Sequence, residues 1–228
     1  PGLIVAALLF FFLPKPTGKV VHTEVSDASG HTLGWAGLIQ RPAAWLAFAA
    51  YLFFNVAFWG FLGWMPTYLS QTRHIELKAL GPLASIPYLC GFVGLLVIGW
   101  LGTRPLYRFR AVLVAVSYLL AAAFLWMTFT AANVPCCIAG LSLAAFFLYG
   151  GFGPFWAIAL DLIPDTLRGA FAGFVNFGGQ IGGFCAPIVV GEIYHTTKSF
   201  TDGFLFMMAA LALAAVSLLW LQVVSQKV

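Results

Sequence analysis

The sequence predicts an all-α integral membrane protein: a six-helix bundle of two inverted three-helix repeats, preceded by the end of one further helix. Three observations predict it. The 228 residues are 62% hydrophobic and 8% charged, with a mean hydropathy of +0.97, whereas water-soluble domains are near half apolar and a quarter charged. Apolar runs of about 20 residues or more recur, the length a helix needs to cross the hydrocarbon, and the short alternating strands of an outer-membrane barrel are missing. Prolines and glycines also interrupt the second span of each trio, as in repeats whose helices bend around a substrate path.

Taken in order, the chain opens with "LIVAALLFFFLP" (Leu3–Pro14). It lacks the basic start and small-residue cleavage site of a signal peptide, and no Met precedes it. Residues 1–14 are therefore read as the end of a truncated transmembrane helix, and the chain as the back part of a longer protein. Residues 15–42 mix Gly, Ser, Thr and charges without a sustained period, which predicts a linker with a short surface helix near Leu33–Gln40. His22 and His31 within it read as solvated loop residues.

The six-helix domain, 43–228, is expected to hold spans at about 43–70, 80–102, 109–131, 136–162, 168–194 and 202–224. In the first, Asn55 lies four residues after Tyr51 and four before Trp59, so the three share a helical face. Pro66 follows in "GWMPTYL". The second span contains "GPLASIPYLCGFVG". The fourth places Tyr149 and Trp156 beside the Gly150–Pro154 break; their rings suit either ligand contact or core packing. In a membrane, backbone groups freed by proline must be satisfied by neighbours or by a wet cavity, so Pro66, Pro154 and Pro187 read as hinges. In "LIPDTLRG" Asp165 is expected to cap the next helix, with Arg168 bonding it or nearby carbonyls at the rim, a gating element.

The fifth span is the most informative. Arg168 to Gly191, "RGAFAGFVNFGGQIGGFCAPIVVG", carries seven glycines, one proline and two amides, none of which a segment merely dissolved in lipid would need. Asn176, Gln180, Gly183 and Pro187 fall on one face, and Gly178, Gly182 and Cys185 on a smooth neighbouring one. Glycines at four-residue spacing admit a close helix partner. Each unpaired amide would cost several kcal/mol in hydrocarbon, so each requires either a cavity or an interhelical bond.

Every acidic, basic and histidine side chain maps to a loop or a span end, so no buried charge marks a site within this chain. Eight of the eleven basic residues fall on one side: Lys15, Lys19, Arg41, Arg104, Arg108, Arg110, Arg168 and Lys227. By the positive-inside rule that side, with the linker and the C-terminus, is cytoplasmic, and the chain is a multi-pass protein of the cell membrane. The net charge of +4 then needs no nucleic-acid partner. No cofactor or metal is expected: the glycine clusters follow no strand and lead to no Gly-Lys-Ser/Thr, and the four cysteines lack metal-ligand spacing. No nucleophile–base pair suggests an enzyme; His74 with Glu76, and His195 near Glu192, come nearest.

"GWMPTYL", "GPLASIPYLCGFVGLLVIGWLGTR" and "LIPDTLRGAFAGFVNFGGQIGGFCAPIVVG" together resemble the C-terminal half of a twelve-helix major facilitator superfamily transporter. Within it, the resemblance points to the anion:cation symporter family of sugar-acid, aromatic-acid and sialic-acid carriers. It covers nearly the whole chain, with Leu3–Pro14 as the end of the sixth helix. The resemblance implies proton-driven symport of an organic anion by two halves that rock about a central site. It places the charged groups, and the coupling proton, in the N-terminal half, which becomes this chain's partner within the bilayer. Asn176 and Trp156 match its pocket contacts; Asn55, Gln180, Tyr51 and Tyr149 are expected to line the same pocket from their own polarity and helical spacing, with interhelical packing as the alternative. Gly153 stands where some relatives carry serine, which removes a hydroxyl from the implied pocket. The loop resembling Gly-x-Leu-x-Asp-Arg reads Gly99–Arg104, and Thr103 replaces its acid, weakening the latch that Arg104 would serve. The alternative reading is a non-transporting membrane sensor or assembly subunit on the same fold, which would bind without turnover.

Overall fold

The computed structural model describes residues 35–225. The chain divides into two units, Pro1–Thr32 and Leu33–Val228. The helix end expected at 1–14 and most of the expected linker lie outside the described residues. A short helix α1 (Trp35–Ile39) precedes α2 (Pro42–Gln71), α3 (Leu77–Thr103), α4 (Arg110–Thr130), α5 (Val134–Gly150), α6 (Phe152–Asp161), α7 (Arg168–Thr197) and α8 (Thr201–Ser225). Turns of 3-10 helix occupy Tyr107–Phe109 and Asp165–Leu167, and the described residues contain no strand. With α5 and α6 taken as one path, six segments are long and apolar enough to cross a membrane.

Local chemistry sets the ends. Pro42 opens α2 at a position whose N–H would have no helical partner. The Asn133 side chain accepts from the Cys136 N–H at 2.9 Å and starts α5. Lys198 closes α7 in a left-handed conformation (φ 55°), its N–H on the Tyr194 carbonyl. One expectation holds and one is corrected. The break expected within the 136–162 span falls at Gly151, which keeps helical angles (φ −68°, ψ −17°), so the path continues from α5 into α6. The Tyr118 ring would lie 2.7 Å from a Cβ at Gly151, so only glycine fits beneath it. Asp165 does not cap α7: that position is Leu167, and the Asp165 carboxylate turns instead to Arg168.

Helix contacts reveal the repeat. The main pairs are α2 with α7 and α8, α5 with α3 and α4, and α4 with α8. Exchanging α2 with α5–α6, α3 with α7, and α4 with α8 returns the same set. Each trio has an odd number of spans, so the second runs inverted relative to the first. The correspondence reaches single residues: Gly94 of α3 abuts the Phe146 carbonyl of α5, and Gly182 of α7 abuts the Leu52 carbonyl of α2. One turn away, Gly91 receives the Tyr149 ring and Gly179 receives Tyr51 and Asn55. Lipid supplies no hydrophobic drive between helices, so these backbone-to-backbone approaches, with their dispersion contacts, hold the pairs. The glycines correspond in the two repeats, whereas the prolines do not: Pro87 precedes its glycine pair and Pro187 follows its own.

The core is aromatic. Tyr51 stacks on Phe155 at 5.1 Å and Phe54 on Tyr118 at 5.0 Å. Buried hydroxyls of Ser117, Thr128 and Ser142 donate to carbonyls one turn back in their own helices. Charged groups tie the two ends. Arg73 donates to the Tyr68 hydroxyl and to the Thr128 and Ala131 carbonyls, at 2.8–2.9 Å, which caps the end of α4. Burial works against its charge, but the hydrogen bond to Tyr68 and the further interactions with Tyr68 and Cys137 together outweigh this and raise its pKa. At the opposite end, Arg110 of α4 pairs with Asp161 of α6.

Candidate functional site

The exposed side of α7 carries the candidate site. Asn176 and Gln180, one turn apart, are both exposed and make no hydrogen bond among the described residues. Gly169 and Gly173 continue their stripe, and a Cβ at either would meet nothing within 4 Å, so this surface is open along about three turns. The opposite side of the same helix is closed: Gly178 seats Phe48, Gly179 seats Tyr51 and Asn55, and Gly182 meets α2 backbone. Gly178 and Gly182 thus form the contact face expected of them, but Cys185 is exposed and lies off it.

The other expected pocket residues sit at different depths. Trp156 of α6 is half-buried and meets Tyr51 edge-on at 5.0 Å. Gly153 is exposed with open space around it, so the hydroxyl lost with serine leaves room instead of a filled contact. Asn55 and Tyr51 are each 4% exposed, and the Asn55 amide donates to the Tyr51 carbonyl at 2.8 Å. They were expected to line a pocket; in the structure both are buried, because Gly179 lets α7 close over them. Tyr149 is half-buried, wedged between Gly91 and Phe58.

The bends and rim are more connected than the sequence indicates. Pro66 and Pro187 both lie inside their helices, α2 and α7. The Trp64 indole donates across to the Pro187 carbonyl at 3.1 Å, so the two helices are bonded at the break. Pro154 is buried near the start of α6, against Gly102 of α3. Arg168 pairs with Asp165 at 2.8 Å and donates to the Leu160 carbonyl at 3.2 Å, tying α7's start to α6's end. Arg104 follows α3, exposed and without an ion-pair partner among the described residues.

Sequence reasoning did not find the Arg73 clamp, the Arg110–Asp161 pair or the Trp64–Pro187 bond. The signal for the second was available, since both residues fall at span ends on the same rim. The other two depend on where long side chains reach across helices. Among the described residues no cluster of His, Cys, Asp or Glu has the makings of a metal site. The arrangement offers neutral donors and acceptors, aromatic faces and bendable helices, and no charge at mid-depth among the described residues.

The fold is that of a six-span membrane bundle, and a family model of the Major Facilitator Superfamily matches residues 1–187. The chain belongs to that superfamily. It is 31% identical, over 72% of its length, to the probable galactarate/D-glucarate transporter GudP of Escherichia coli K12. It is 28% identical, over 90% of its length, to the hexuronate transporter of Bacillus subtilis strain 168. The chain spans only 38% and 51% of those two relatives' own lengths. Among solved structures, it is similar to the E. coli fucose:proton symporter FucP, with a TM-score of 0.72 at 15% identity, over 96% of this chain and 52% of that one. These relatives are transporters, not enzymes.

Proposed function

We propose that this chain is the C-terminal half of a secondary transporter that carries a sugar acid or similar organic anion together with protons, by alternating access. The observation that carries the reading is the pair of unpartnered carboxamides, Asn176 and Gln180, exposed on a helix at membrane depth. Left in hydrocarbon, such groups cost several kcal/mol, roughly the transfer penalty of an amide. Facing a wet passage they cost little and serve as hydrogen-bond partners for hydroxyls. The names of the curated relatives, which transport galactarate, glucarate and hexuronate, support the substrate class. The described residues hold no charge at mid-depth, so the anion's carboxylate and the coupling proton are met by a second bundle. That partner is an N-terminal half of the same transporter. The arginine-rich rim, with the C-terminus, faces the cytoplasm of a cell whose plasma membrane the bundle spans.

The test is uptake of radiolabelled galactarate by the full-length protein in proteoliposomes, with and without an inward proton gradient. Accumulation that collapses with a protonophore is expected. Binding without flux would move the assignment to a sensor, and flux indifferent to the gradient would remove the proton coupling.

A further inference from the structure

Three tryptophans of α2 differ in one respect. The Trp45 indole donates to the Ile39 carbonyl at 2.8 Å, and Trp64 donates to Pro187. Trp59 makes no hydrogen bond among the described residues, and it is 43% exposed. It sits near the middle of its helix, where an indole N–H left in lipid has nothing to bond; tryptophan with a free N–H normally stays at the interface. Its position is set by α7. A Cβ at Gly183 would lie 2.5 Å from Trp59 Cδ1 and 2.9 Å from its Nε1, so the ring rests against that glycine. Gly183 lies three residues beyond Gln180, on the side of α7 that carries Asn176 and Pro187. A partly exposed indole, meeting Phe58 edge-on at 6.0 Å and with its N–H unbonded among the described residues, therefore borders the carboxamide stripe at mid-depth.

We propose that Trp59 contacts the substrate, and that Gly183 is the residue that positions it. The ring face suits the C–H surface of a polyhydroxylated carbon chain, and the N–H suits a hydroxyl oxygen on the same molecule. A hydroxyl-free diacid of equal length presents flexible methylenes and no hydroxyl acceptor, so this corner selects sugar acids over plain dicarboxylates. The inference rests on the transport reading above.

Proteoliposomes of the full-length protein test it, with galactarate as substrate and adipate as competitor. Trp59→Phe is expected to raise KM about tenfold, the equivalent of losing one hydrogen-bonded contact, with kcat little changed. Trp59→Leu should raise it further and narrow the preference for galactarate over adipate. Gly183→Ala should reproduce the KM effect by pushing the indole aside, whereas Gly81→Ala, which meets open space, should not. Thermal unfolding of each variant checks that it is folded. Wild-type uptake with an unchanged KM in both Trp59 variants overturns this inference alone. Absence of uptake by the wild type overturns the transport reading and this inference with it.

Discussion

Two asparagines on neighbouring helices do opposite work, and burial decides which. Asn176 is exposed and makes no hydrogen bond among the described residues, so the fold of this bundle does not depend on it. Asn55 is shut behind Gly179 and bonded to the Tyr51 carbonyl. Replacing a buried, bonded amide costs about 1–2 kcal/mol, more where an unmet group remains. Asn55→Ala is therefore expected to lower the unfolding temperature by a few degrees, whereas Asn176→Ala leaves it unmoved and cuts galactarate uptake at least tenfold. Thermal unfolding in detergent alongside uptake separates them; the reverse pattern would sink the assignment of Asn176 to the passage. That Asn176 and Gln180 share an exposed face was legible, because an amide is costly in a span and their spacing aligns them. The depth of Asn55 was not, since it depends on a glycine far along the chain that fits over it. The Trp59 indole was visible as a ring on the Asn55 face, but its seat on Gly183 was not, since that depends on how closely α7 approaches α2.

At the scale of helices, small residues control distance and prolines control direction. Gly94 and Gly182 each press against a carbonyl of the partner helix, and backbone cannot swing aside as a side chain does. A methyl at either must push the helix pair apart along its whole contact, forfeiting many small dispersion terms at once. Gly94→Ala and Gly182→Ala are each expected to destabilise by about 1–3 kcal/mol, the range for overpacking. Gly99→Ala, into open space, should be neutral or slightly stabilising through helix propensity. Equal losses at 94 and 182, measured by unfolding in detergent, are what the exchange of α3–α5 for α7–α2 demands; a neutral result at one site would break the correspondence. The periodic breakers announced such a repeat in the sequence, yet the glycines carry it and the prolines serve each trio separately. The break at Gly151 was foreshadowed by its Gly-Gly-Phe-Gly-Pro run, but the Tyr118 ring that requires glycine there was not, since it comes from another helix.

Across the whole molecule, charge among the described residues is confined to the two ends and the middle is neutral, the distribution expected of a chain that crosses lipid six times. The six spans were readable within a few residues, because a bilayer demands length and apolarity and punishes anything else. The proposed orientation rests on the count of basic residues alone, and it commits every residue above to a side. Arg104, Arg108 and Arg110 lie between α3 and the first turn of α4, while Cys136 lies at the other end of α4, exposed at the start of α5. Those two positions must therefore face opposite compartments. In a background with Cys90, Cys137 and Cys185 changed to serine, a membrane-impermeant maleimide is expected to label Cys136 on intact cells. A cysteine introduced by Thr103→Cys, with Cys136 also changed to serine, should react only after permeabilisation. Labelling in the opposite sense would invert the bundle, placing the Arg110–Asp161 pair outside and the Arg73 clamp at the cytoplasmic end. Labelling of both from outside would mean that α4 does not cross the membrane, and the six-span architecture would fall with it.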